Sequence, residues 1–551
     1  MLNILFGILT LIFGCKPSSS SFPPSTTCDT CAQAGKVTQL QVNLSATHQT
    51  IHSFGASDAW STKFVGNWAD LAKKNQIADY LFSMDVDSSG NPKGIGLSLW
   101  RFNIGAGSYE QGDSSGIADD YRREECFQNP DGTYSWNKEQ GNQWFLNAAK
   151  QRGVKYLLGF ACSPPVYMTI NGKAYGTGTA QFNLAPSNFK SYADFLVAVC
   201  AHFQGTGTPL DYISPVNEPQ WNWGASNNQE GTAASNTDIA DLVRILGPDL
   251  QAGGVNTHVV PGEAGQITFL NTATTDNRGD QINQWFNPSD SNYIGGIPNV
   301  DNTISYHSYF TTCPDNTLVQ DRQAVATAAA NIGGQANTRG AAGTGGGLNL
   351  WMTEFGVLSS ICGTLNGYPR NTNIDYGLYV AGVIHNDLAV AGASSWQWWL
   401  GVNPYNYSDG LVYINAPNGA MDPEQSKTDG LVSDSKQLWC LGNFSRFVRP
   451  GMVRVDAVLG NNTDPVSAAG SIMVSAYTDP VAGTVVIVLV NTETTSSTIS
   501  LSGLGGSATL TGSTLTAYVT SAGKNLQKTT MAAANIQLEP RSVTTLMANY
   551  H

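Results

Sequence analysis

The chain has 551 residues, more than one ordinary domain and enough to bury a large core. Charged residues make up 13%, well below the roughly 25% of an average protein, while Gly (58), Trp (13) and Tyr (21) are plentiful, which excludes a disordered chain. The net charge of −13 excludes a nucleic-acid partner, whose phosphates need a basic surface.

The first residues, MLNILFGILTLIFGC, are apolar and end at Cys15. The run is too short to span a bilayer and reads as an export signal. It resembles a bacterial lipoprotein signal, with Gly14 before a lipidated Cys15. It departs from that pattern in having no Lys or Arg ahead of the apolar core and Phe13 close to the cysteine. The Ser/Pro-rich stretch KPSSSSFPPSTT then reads as a flexible tether, so residues 1–36 are set apart as signal and tether. Cys28 and Cys31 form a lone C-x-x-C with no second pair or histidine nearby, which suits a local disulfide better than zinc.

VTQLQVNLS (37–45) alternates like a strand. Apolar runs then recur at 51–57, 95–104, 154–161, 210–217, 257–263, 302–309, 348–354 and 392–399. Between several of them lie helical patterns at 142–153, 187–203 (with Ser187 as its cap), 237–246 and 375–389. Strands alternating with helices predict an α/β fold, a (β/α)₈ TIM barrel over residues 51–443. The loop GAAGTGGGLN (340–349) reads as a surface connection, since no Lys-Ser/Thr follows to cradle a phosphate. From about residue 450 helical periodicity stops. SIMVSAYT, GTVVIVLVNT, STISLSGL, TLTAYVT and SVTTLMANY are short β-branched strands between turns, so residues 444–551 are expected to form a side β-sandwich joined by the strand at 37–50.

In such a barrel the active residues sit at the C-terminal ends of the strands. Those ends offer Asp58 and Trp60 from strand one, Arg101 from strand two, Asn217 and Glu218 from strand four, His307 and Tyr309 from strand six, and Glu354 from strand seven. SPVNEPQWNW (214–223) is the most informative: Pro219 stops the strand, and Trp221 and Trp223 follow an acid and an amide at once. A carboxyl close to aromatic rings is partly desolvated, which favours its protonated form and suits it to donate to a leaving oxygen. Trp396, Trp398 and Trp399 end strand eight; alternation must bury some of them, and Trp398 is assigned to the core. Two glutamates on strands four and seven face each other across a barrel mouth, a pair that can share glycoside cleavage. At about 5–5.5 Å apart they leave no room for a water, and the outcome is retention. Arg101 and Tyr309 are placed to keep the nucleophile ionised, and Asn217 to hold the sugar 2-hydroxyl. Setting Cys15 aside, eight cysteines remain. Cys313 and Cys362 each follow a strand end on the adjacent sixth and seventh strands, and are expected to form a disulfide with Cα atoms within about 7 Å.

These residues resemble glycoside hydrolase family 30 over roughly 37–550. The match runs through FGASDAW, the Arg101 strand, Ser-Pro-Pro at 163–165, Asn217-Glu218-Pro219, Glu354 in TEFG, FSRFVRPG (444–451) and PRSVTT (540–545), in that order. The resemblance implies a barrel with a side β-sandwich built from both chain ends. It implies retaining hydrolysis with Glu218 as acid/base and Glu354 as nucleophile. Asp58, Trp60, Arg101, Asn217, Trp221, His307, Tyr309, Trp396 and Trp399 would bind substrate. One departure is Cys162, where some relatives carry tryptophan.

The reading is therefore an exported, monomeric O-glycoside hydrolase, anchored to a membrane only through Cys15. Its partner is a β-linked polysaccharide, and the mechanism implies no cofactor or metal. Endo-β-1,6-galactanase is the first expectation, with xylanase, glucuronoxylanase or β-1,6-glucanase next. A surface glycan-binding protein on the same scaffold is the non-enzyme rival.

Overall fold

The computed structural model describes residues 37–333 and 347–551. Cys15, Cys28, Cys31 and the tether lie outside the described residues, as does most of the loop at 340–349.

Strand β1 (Thr38–Thr50) precedes the barrel. The barrel strands are β2 (Ser53–Ser57), β3 (Leu99–Asn103), β4 (Tyr156–Phe160), β5 (Tyr212–Ser214), β6 (His258–Val259), β7 (Thr303–His307), β8 (Asn349–Glu354) and β9 (Ser395–Asn403). They pair in parallel from β2 to β6 and from β7 to β9, and β9 pairs with β2. One face of each strand fills the barrel, where Leu99, Leu158, Phe160, Val260, Trp351 and Leu400 meet. The other face meets the helices through Phe54, Trp100, Phe102, Met352 and Trp398. Burial on both faces explains why these strands read as unbroken apolar runs.

Closure between β6 and β7 is irregular. Pro261 has no N–H to give, and Gly262 sits at φ +124°, where a Cβ would lie 2.5 Å from the Ser305 carbonyl oxygen. The seam is held instead by Val259 N–H donating to Asn299 O (2.7 Å) and His307 N–H donating to Ala264 O (2.8 Å). This break turns Glu263 into the barrel.

Helices at Gln140–Gln151, Phe189–Gly205, Asn236–Ala252 and Ile374–Asn386 occupy the segments with helical spacing. Ser187 is not a cap: it lies in the short 3-10 turn Pro186–Asn188, and Asn188 precedes the helix without a side-chain bond. Ser235 does cap, forming a reciprocal box with Asp238.

Beyond the barrel, β10 (Gly410–Asn415) and β11 (Leu431–Ser433) extend its sheet past β9. Then β12 (Val453–Leu459), β13 (Ile472–Asp479), β14 (Thr484–Asn491), β15 (Ser497–Gly503), β16 (Thr514–Ser521), β17 (Lys524–Ala532), β18 (Ile536–Leu538) and β19 (Ser542–Asn549) join β1 in one nine-stranded sheet. The sheet folds over on itself, so Leu40, Val455, Leu489, Ile499, Leu515 and Ile536 from its two ends share one core. Its outer face carries Tyr477, Val486, Val488 and Val543 into the apolar layer of the barrel helices. This is why TVVIVLVN (β14) is apolar at nearly every position.

A buried ion pair ties the end of β7 to the helix layer. Asp387 accepts from Arg322 Nε (2.7 Å), Tyr306 OH (3.1 Å), Ser308 Oγ and Trp396 Nε1 (2.9 Å). Arg322 also donates to the Thr311 and Leu318 carbonyls. Both charges are fully buried. Asp387→Ala would strand the guanidinium, and a loss of about 3–5 kcal/mol is expected, read as a lower urea midpoint. Adding Arg322→Met should recover most of that loss.

Candidate active site

The turn after β5 places Glu218. Its φ is +46°, and three backbone contacts hold that conformation. Its N–H donates to Glu263 O (2.9 Å), while its carbonyl accepts from Trp221 N–H (3.2 Å) and Trp223 Nε1–H (3.1 Å). Glu354 ends β8, and its carbonyl accepts from Ser308 N–H (3.1 Å), which couples the ends of β7 and β8. Arg101 points inward from the middle of β3, with its guanidinium 3.6 Å from the centre of the Phe160 ring.

These groups converge. Arg101 donates to Glu354 Oε2 (2.8 Å), Asn217 Oδ1 (2.9 Å) and Glu263 Oε2 (2.9 Å). His307 bonds Glu218 through Nδ1 (2.8 Å) and Glu263 through Nε2 (2.8 Å). Tyr309 OH donates to Glu354 Oε1 (3.2 Å), and Thr353 Oγ1 donates to Glu263 Oε2 (3.0 Å). One oxygen each of Glu218 and Glu354 and one nitrogen of His307 lie within 4.8 Å of one another.

The charges explain the arrangement. Burial would raise Glu263, but Arg101 and His307 outweigh it and hold its carboxyl at about 2. Burial would likewise depress His307; the charge of Glu354 and the bonds to Glu218 and Glu263 lift it instead to about 10. Burial pushes Glu354 above the usual carboxylate range, against the pull of His307 and Arg101 and with the help of the charges on Glu218 and Glu263. Two cations thus face three carboxyl groups, and one further proton brings the centre to neutrality. Glu218, His307 and Glu354 are also the group among the described residues with the spacing to hold a metal ion. With His307 protonated and Arg101 beside it, that site already holds two positive charges, so the donor set suits proton transfer rather than a metal.

Above the centre opens a cavity of about 790 Å³. Trp60, Trp221, Tyr309 and Trp399 line it with Glu218 and Glu354, while Arg101, Asn217 and His307 lie beneath. Two expected substrate contacts fall elsewhere. Asp58 is fully buried outside the cavity lining, and its Oδ1 accepts from Asn103 N–H (2.8 Å). Trp396 shares the helix-facing side of β9 with Trp398, two residues on, and gives its indole N–H to Asp387. Only Trp399 turns to the mouth, meeting Trp60 edge-on at 5.2 Å. Cys162 is buried in the barrel interior, and burial pushes its thiol well up.

Sequence reasoning missed Glu263, although the run 257–263 ends on it and the strand-end rule applies to it as to the others. It also missed Arg122, Asp409 and Phe310, which line the cavity from loops. Burial pushes Asp409 up to about 7. Cys313 and Cys362 are disulfide-bonded in the cavity wall with Cα atoms 6.0 Å apart, as expected.

A TIM barrel with two carboxyl groups this close at the C-terminal ends of β5 and β8 defines a glycoside hydrolase. The model for O-Glycosyl hydrolase family 30 matches residues 37–413, and the chain belongs to that family. Glucuronoxylanase XynC from Bacillus subtilis (strain 168) is 30% identical over 424 residues, covering 75% of this chain and 79% of that protein. Among solved structures, a conserved exported protein from Bacteroides fragilis superposes with a TM-score of 0.85 at 32% identity, covering 92% of this chain and all (100%) of that one. The catalytic domain of GH30 xylanase C from Talaromyces cellulolyticus superposes with a TM-score of 0.63 at 22% identity, over 93% and 100% of the two chains, and shares the fold.

The charge pattern predicts an alkaline signature. His307 is lifted from an unfolded value near 6.5 to about 10. Its contribution to stability is therefore complete below about pH 6.5 and is lost as the pH rises through about 10. The melting temperature of the protein should fall between these limits, and His307→Gln should flatten that fall. Parallel slopes in the two proteins would contradict the assignment. Glu263 works in the opposite sense: its contribution is present above about pH 4.3 and is lost as the pH falls toward about 2.

Proposed function

We propose that this glycoside hydrolase cleaves a β-linked polysaccharide by double displacement, with Glu354 as nucleophile and Glu218 as acid/base. The observation that carries the reading is the separation of the two carboxyl groups, with oxygens within 4.8 Å. Nearest oxygens this close favour the short spacing of a retaining pair, about 5–5.5 Å between carboxyl groups, over the roughly 6.5–9.5 Å of an inverting one. Arg101 and Tyr309 each hold one oxygen of Glu354. These bonds, with the charges of His307 and Arg101, pull Glu354 toward the ionised form that attacks the anomeric carbon, against the burial that raises it. Glu218 gives its proton to the leaving oxygen, then takes one from the water that releases the glycosyl-enzyme. Asn217, its Oδ1 held by Arg101, turns its NH₂ to the sugar 2-hydroxyl.

Two features favour a xylan carrying acidic substituents. One is the glucuronoxylanase relative. The other is Arg122, whose guanidinium lies in the cavity wall 4.9 Å from the Trp60 ring, a cation placed to meet a uronate. β-1,6-Galactan is the alternative, since SPVNEPQWNW (214–223) and SPPVYM (163–168) resemble both galactanase-like and xylanase-like members of the family. Export belongs to the same reading, supported by the apolar leader and by a disulfide, which persists in oxidising compartments. Lipidation of Cys15 would be seen as release of Cys15→Ser from membranes.

A panel of glucuronoxylan, xylan, β-1,6-galactan and β-1,6-glucan, with product sizes read out, tests substrate and endo action together. The roles of the acids are tested by substitution. Glu354→Ala should lose several orders of magnitude on every substrate. Glu218→Ala should retain far more activity on an activated aryl glycoside than on polymer, and azide should restore its turnover with a β-glycosyl azide as product. Equal losses on both substrates without azide rescue would overturn the acid/base assignment.

A further inference from the structure

Among the described residues Phe310 is the most exposed of the large aromatic side chains, at 71%, and it lines the cavity. Its φ is +64°, a region that a bulky side chain rarely enters. Both flanks hold it there. On one side Tyr309 is bonded to Glu354; on the other, the Thr311 carbonyl accepts from the buried Arg322 (3.0 Å), and Cys313 is bonded to Cys362. A conformation so firmly imposed on an exposed ring is a mark of use rather than of packing.

The ring that faces it is equally fixed. Trp221 meets Phe310 at 5.8 Å and 83°, an L-shaped corner of two aromatic faces. Phe269 stands edge-on to Trp221 from another side at 5.6 Å. Gly265 passes directly beneath the indole, where a Cβ would lie 2.4 Å from Nε1. Trp221 is also held to the catalytic turn, its N–H donating to the Glu218 carbonyl.

We propose that Phe310 and Trp221 form the subsite for the sugar on the leaving side of the cleaved bond. They would grip a β-linked pyranose by its apolar C–H face. The side follows from the chemistry, and the inference rests on the hydrolase reading above. The leaving oxygen must come within reach of Glu218, so the sugar that carries it lies against the residues of Glu218's own turn. Trp60, just past β2, and Trp399, on β9, form a separate edge-on pair. β2 and β9 are neighbours well removed from β5 in the strand order, so the pair is assigned the sugar that Glu354 attacks. The side chains that make the corner, Phe310, Trp221 and Phe269, are uncharged aromatic rings, which fits a neutral sugar ring. Aromatic faces gain from such contact beyond the area they bury.

The test compares the polymer cleaved in the panel with the β-glycosyl fluoride of its disaccharide, which places no sugar beyond the scissile bond. In Phe310→Ala, the ratio of kcat/KM on polymer to kcat/KM on fluoride should fall about tenfold or more. Phe310→Trp should restore most of the ratio. An unchanged ratio, or equal losses on both substrates with no rescue by tryptophan, would overturn the subsite and assign Phe310 a structural role. A wild-type protein that cleaves neither substrate would instead sink the hydrolase reading, and this inference with it.

Discussion

The floor of the cavity depends on one electrostatic balance. Three carboxyl groups and two cations are buried there within hydrogen-bond reach. Taking any of them out of water alone would cost several kcal/mol. Arg101 is the centre of the balance, because its planar fork reaches Glu354, Asn217 and Glu263 at once. A lysine could not span those three positions. His307 repeats the arrangement on the other side, joining Glu218 to Glu263. Glu263 is thus a counter-ion to both cations, and it shares Arg101 with Glu354 and His307 with Glu218. The seam beside it is irregular: Pro261 gives no N–H though its carbonyl still accepts from Ser305 N–H, Gly262 takes φ +124° and Glu263 itself φ +45°.

Much of this was legible in the order of residues. The eight barrel runs stood out because parallel strands, covered on both faces, carry few polar positions, and those few, such as Arg101 and His307, point into the barrel centre. The two glutamates were legible because proline and the strand ends mark where a ladder stops. Cys313 and Cys362 were legible as neighbours because β7 and β8 are adjacent. What failed did so for local reasons. Trp396 stands two residues before Trp398, so the alternation that sent Trp398 to the core sent Trp396 there too, and only Trp399 was left for the mouth. Asp58 sits at a strand end like Glu218 and Glu354, yet it is fully buried and one of its oxygens accepts from a backbone N–H of the next strand. Phe310 carries no signal at all, since its value lies in exposure and a backbone angle.

Base and rim of the cavity differ in kind. The base is a dense network of charges and hydrogen bonds in which Arg101 Nε and Glu263 Oε1 keep no partner among the described residues. The rim is built from loops, aromatic rings and one disulfide, and differences in substrate belong there. The remaining described cysteines, Cys126, Cys162, Cys200 and Cys440, are buried with thiols pushed up by burial, so they are poor nucleophiles and slow to oxidise.

The position of β1 has a consequence in time. It is made early, yet it lies inside the nine-stranded sheet, antiparallel to β12 and parallel to β15. Leu40 pairs with Leu459 and also with Leu501. At about 5–20 residues per second, synthesis takes on the order of tens of seconds to bring those partners out. Until then β1 presents unpaired N–H and C=O groups on both edges. Its alternation of buried Leu40 and Val42 with exposed Gln39 and Gln41 makes it a ready template for pairing with another chain. A cell that makes this protein has to keep one strand unoccupied while the barrel is built, and crowding of nascent chains would be felt first there.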